Sequence, residues 1–139
     1  MVERQLDLLK GPRQRGTVAP GPTDFQIHCA VADTLRLGLA SGWMWMHPAN
    51  GELRNIATGG RLKRMGVSPG VSDILLHKKP GAQLHALELK RKGEKPTEAQ
   101  WAYLNEVVEL GGKAAWADSV SGALDVLKGW GALKESVHI

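Results

Sequence analysis

Three charged residues in this chain have the types and spacing for metal-assisted hydrolysis. Asp73 opens Asp73-Ile74-Leu75-Leu76, and Glu88 and Lys90 flank Leu89 in Ala86-Leu87-Glu88-Leu89-Lys90. Side chains alternate along a strand, so Glu88 and Lys90 share one face while Leu89 points into the opposite layer. If Ser72–His77 and Gln83–Lys90 pair as a hairpin across the Lys78–Ala82 connection, Asp73 comes level with Glu88 and Lys90. Two carboxylates held close repel each other, and a divalent cation removes that cost. Hard oxygen ligands of this kind suit Mg²⁺. A nearby lysine can orient water and offset charge on phosphorus. An isolated E-x-K is ordinary, expected by chance roughly once in two chains of this length, and then a solvated pair. Here both carboxylates lie in apolar runs, where a charge needs a partner.

Basic residues surround this text. Between residues 78 and 95 stand Lys78, Lys79, Lys90, Arg91, Lys92 and Lys95 against Glu88 and Glu94, while Arg61, Lys63 and Arg64 precede Asp73. Such a distribution fits phosphate-backbone contacts, and it equally fits ordinary solubility residues in loops. The stretch His47-Pro48-Ala49-Asn50-Gly51-Glu52-Leu53-Arg54 offers His47, Asn50 and Arg54 for nucleotide contacts, or a plain turn built on Asn-Gly. Asp24 and Gln100 each have a capping role available at a helix start.

The elements that must position these residues follow from periodicity. A helix is predicted from Thr23 or Asp24, with Ile27, Val31 and Leu35 at four-residue spacing and Gly42 as its stop. Trp43–His47 reads as a strand with Trp43 and Trp45 on one face, and Ala57–Met65 as a short helix. Thr97-Glu98-Ala99-Gln100 forms a capping box opening a helix to Leu110. Ala114–Ala117 is a short strand and Ser119–Trp130 a closing helix. The resulting expectation is an α/β domain with a mixed central sheet flanked by helices, spanning residues 23–139 behind a basic Pro/Gly-rich arm, residues 1–22.

Length and composition bound the reading. The 139 residues suit one domain, and the +4 net charge permits a polyanionic partner without requiring one. One cysteine, Cys29, excludes an internal disulfide and a cysteine-based zinc site. No apolar run reaches the ~18 residues of a membrane span. The first 22 residues are too charged for a secretory signal, so a reducing cytoplasmic setting is expected.

Taken together, His47–Arg54, Leu62–Leu76 (LKRMGVSPGVSDILL), Ala86–Lys90 (ALELK) and Pro96–Leu104 (PTEAQWAYL) resemble the VRR-NUC family of PD-(D/E)xK nucleases. The likeness is to its short stand-alone members in phages and bacteria and covers residues 24 to about 130. It implies a restriction-endonuclease-like fold and DNA cleavage dependent on Mg²⁺, with Mn²⁺ substituting, including branched DNA such as a Holliday junction or flap. It implies Asp73 and Glu88 as metal ligands, with the carbonyl of Leu89 as a third, and Lys90 beside the attacking water. Asp24 falls where the family has a first-helix glutamate, and Gln100 where it has a helix glutamine. His47, Asn50, Arg54, Lys63, Arg64 and Arg91 become candidate DNA contacts. A homodimer is implied by likeness to dimeric junction resolvases. Ser72 stands where the family has proline, and His28 where it often has glutamine. The rival reading is a non-catalytic nucleic-acid-binding module of the same fold.

Overall fold

A computed structural model describes residues 21–49 and 56–137. Asn50, Arg54 and most of the basic arm lie outside the described residues. The elements are α1 (Asp24–Gly38), β1 (Trp43–Met46), α2 (Ile56–Arg64), β2 (Ile74–Lys78), β3 (Gln83–Leu89), α3 (Glu98–Glu109), β4 (Lys113–Ala117) and α4 (Val120–Gly129). The four strands form one sheet in the order β1-β2-β3-β4. The first three are antiparallel neighbours, and β4 runs parallel to β3. A parallel neighbour requires a crossover, which α3 supplies. Mixed sheet and flanking helices are the expected α/β architecture.

Alternation in β2 and β3 sorts the core into two layers. Ile74, Leu76, Leu87 and Leu89 pack with α1 (Ile27, Val31, Leu35) and α4 (Ala123, Leu124, Leu127). Ala86, Ala114 and Trp116 face α3 through Leu104 and Val107. Ile27, Val31 and Leu35 are fully buried. Each contributes about 1.5–3 kcal/mol by leaving water, enough to fix the rotation of α1 about its axis. Trp43 and Trp45 also lean on the first layer, so β1 turns Met44 and Met46 outward.

One helix end differs from expectation. Helix α1 stops at Gly38, four residues before Gly42, because its cap residue Leu39 is extended and bridges Leu133 while the Ala40 N–H donates to the Ala132 carbonyl. The C-terminal segment thus draws the backbone out of the helix early. Gly42, at φ +87°, makes the turn into β1 instead.

Gly70 joins the β2 approach to the start of α3. Its φ is +78°, and an added Cβ would strike the Ala99 carbonyl and come within 2.8 Å of the Gln100 nitrogen. Only glycine combines that conformation with that approach. We predict that Gly70→Ala destabilises the fold by about 2–4 kcal/mol, from backbone strain plus overpacking, measured by urea unfolding.

Candidate active site

The β2–β3 register creates the site. Ile74 pairs with Leu87, so Asp73, one residue before the strand, comes beside Glu88. Asp73 lies just before β2, where strand alternation begins, and its carboxylate is near both Glu88 and His28 of α1. The same alternation, set by Leu87 and Leu89, directs Glu88 toward α3. The hairpin therefore brings two carboxylates together inside largely apolar packing. Asp73 is held by the Leu89 N–H, which donates to its Oδ2 at 2.9 Å.

Gln100 holds Glu88 as a consequence of capping α3. The Thr97 N–H donates to Gln100 Oε1 at 2.8 Å, and the Gln100 N–H donates to Thr97 Oγ1. With its oxygen committed to the cap, the amide must turn its Nε2 the other way. It donates to Glu88 Oε1 at 2.9 Å. The capping and site readings of Gln100 are thus one arrangement.

Glu88 is only 2 % exposed. Among the described residues its Oε2 has no hydrogen-bond partner. Burial, and then the adjacent Asp73 charge, push its pKa up to about 9, while Lys90 pulls the other way. Near neutral pH the metal-free carboxyl therefore carries a proton, whose natural seat is Oε2. An orphaned buried oxygen beside a second carboxylate is the donor set a hard divalent cation takes. His47, Gly70, Val71, Ser72, Asp73, Glu88, Thr97 and Gln100 line a cleft of about 140 Å³ at this point. That is room for a hydrated ion or a phosphate group.

Lys90 follows β3, half-buried, with its N–H on the Ala117 carbonyl. The Leu89 side chain is in the core, which leaves only its backbone to serve a ligand. Asp24 occupies the exposed first turn of α1 behind the Thr23 cap and is not among the cleft-lining residues. His28, one turn later, is what α1 brings to Asp73. His47, expected as a DNA contact, lines the cleft, with Nδ1 2.7 Å from the Asp73 carbonyl oxygen. Lys63 and Arg64 are exposed on α2, and Arg91 is half-buried just beyond β3. Ser72, fully buried with no partner for its hydroxyl among the described residues, gave no chemical signal in the sequence.

The fold is shared with a solved structure. A solved structure named VRR_NUC domain protein matches 78 % of this chain and 87 % of its own, with TM-score 0.57 and 18 % identity. No protein-family model and no curated protein matches the chain. The likeness shows the restriction-endonuclease-like fold expected from the sequence.

The raised Glu88 carboxyl makes a stability prediction. Between pH 4.5 and about 9 the folded metal-free protein holds a proton that the unfolded chain has lost. Stability from this group is then fully present below pH 4.5 and is lost as pH rises through about 9, at up to about 1.4 kcal/mol per pH unit. Glu88→Gln removes that term. In EDTA, the stability of Glu88→Gln minus that of wild type should grow from pH 5 to pH 9 in urea unfolding.

Proposed function

We propose that this protein is a divalent-metal-dependent nuclease that hydrolyses DNA phosphodiester bonds. The observation that carries the proposal is Glu88, buried, oriented by Gln100 and placed beside Asp73 with an unsatisfied oxygen. The name of the structural neighbour, a VRR_NUC domain protein, supports the same reading.

In this reading Asp73, Glu88 and the Leu89 carbonyl hold Mg²⁺, for which Mn²⁺ substitutes. Held there, such an ion would supply Lewis-acid charge against the phosphate oxygens and would acidify water. Lys90 orients the attacking water and neutralises charge building on the phosphate. The water oxygen gives up a proton to solvent and forms a bond to phosphorus in line with the P–O3′ bond, which breaks. The 3′ oxygen takes a proton and the phosphate stays on the 5′ end. Gln100 keeps Glu88 in place during this change. Lys63, Arg64 and Arg91 contact the DNA backbone.

One metal-binding pair of carboxylates serves one phosphodiester at a time. With one site per chain, and by the likeness to dimeric junction resolvases, we propose branched DNA as substrate and a homodimer as the working form, each copy cutting one strand. Light scattering at high concentration should give twice the 15.0 kDa chain mass. A strictly monomeric mass contradicts the dimer.

The experiment is a cleavage panel of Holliday junction, flap, duplex and single strand, in Mg²⁺ and in EDTA. Wild type should cut only in Mg²⁺, and Asp73→Ala or Lys90→Ala should lower the rate about a hundredfold or more while remaining folded. Retention of DNA with no product in either condition would favour the non-catalytic module instead.

A further inference from the structure

Beside the Asp73–Glu88 pair lies a group of different chemistry. One nitrogen each from His28 and His47 and one carboxylate oxygen of Asp73 lie within 4.8 Å of one another. The two imidazoles meet edge to face with ring centroids 4.4 Å apart. They come from α1 and from the end of β1, so three separate parts of the fold converge here. We propose that His28, His47 and Asp73 form a second cation site, selective for a first-row transition ion such as Zn²⁺ or Co²⁺ over Mg²⁺.

Two observations carry this independently. The first is the donor set. Two imidazoles and one carboxylate suit borderline transition ions, whereas Mg²⁺ prefers oxygen donors throughout. The second is the hydrogen bond at His47. A carbonyl oxygen can only accept, so the 2.7 Å contact to the Asp73 carbonyl puts the proton on His47 Nδ1. Nε2 then presents its lone pair. Metal-binding histidines are typically fixed this way, by a backbone carbonyl or carboxylate on the other ring nitrogen.

The distances allow closure. Ligand atoms about 2.1 Å from a tetrahedral ion lie about 3.4 Å apart. The ligand atoms lie within 4.8 Å of one another, so binding requires them to close by at most about 1.4 Å. Three protein ligands leave one coordination position open to the cleft that His47 and Asp73 also line. Asp73 is shared with the Asp73–Glu88 pair, so an ion held here sits next to that pair. The binding itself does not rest on the nuclease reading, since it requires neither Glu88 nor catalysis.

The test is Co²⁺ titration of the untagged full chain, followed by visible absorption and by the imidazole NMR signals of the histidines. Wild type should show a saturable visible band, displaced by Zn²⁺ but not by excess Mg²⁺, with perturbation of His28 and His47. His28→Gln and His47→Ala, verified as folded by circular dichroism, should each weaken binding at least about tenfold, and the double variant should abolish it. Glu88→Gln should retain the band. Equal Co²⁺ affinity in wild type and both histidine variants would overturn the proposal. So would loss of the band in Glu88→Gln with the histidine variants unaffected. A silent cleavage assay alongside a normal Co²⁺ titration would count against the nuclease reading and leave this site standing.

Discussion

The repulsion between two adjacent carboxylates, one of them buried, is the constraint around which the rest of this structure is arranged. The β2–β3 register sets Asp73 beside Glu88, and the packing around β3 leaves Glu88 almost no contact with water. A fold built only for stability would place leucine at position 88, because burial of an ionisable group in such a layer is costly. The metal-free protein answers that cost with a proton on Glu88. The proposed divalent cation would answer it by replacing the proton with charge. Under that proposal, metal binding and protonation compete for the same oxygen.

Its supports are drawn from elements with ordinary structural jobs. Gln100 caps α3 and, because the cap uses its oxygen, spends its remaining donor on Glu88. Gly70 lets the loop before β2 lie directly against the Ala99–Gln100 backbone, which ties the approach to Asp73 to the same helix start. The Leu89 N–H fixes Asp73, while its side chain anchors β3 in the core. Helix start, loop and strand end therefore hold the two carboxylates from three directions. Rigid elements of this kind preorganise a site better than a mobile loop does.

Much of this was legible in the sequence because periodicity and capping are local. The capping box at Thr97–Gln100, the alternation in Gln83–Leu89 and the four-residue spacing of Ile27, Val31 and Leu35 each specify their own element. The pairing of Asp73 with Glu88 was also readable, since a short connection leaves a hairpin few registers. Tertiary facts were not. The early end of α1 depends on Leu39 meeting Leu133, nearly a hundred residues away. His28 belongs to the site only because α1 packs by its apolar face with that ring turned toward β1, and nothing near His28 in the chain indicates His47. Asp24 carried the more suggestive side chain, yet its place in the exposed first turn leaves His28 closer to Asp73.

The central claim is that Glu88 is a protonated metal ligand waiting for its ion. Calorimetric titration of Mg²⁺ at pH 7, repeated in buffers of different ionisation enthalpy, counts the protons displaced on binding. With the Glu88 carboxyl pushed up to about 9, the account predicts release of about one proton per ion in wild type and none in Glu88→Gln. Mg²⁺ binding without proton release, or the same release in Glu88→Gln, would contradict it.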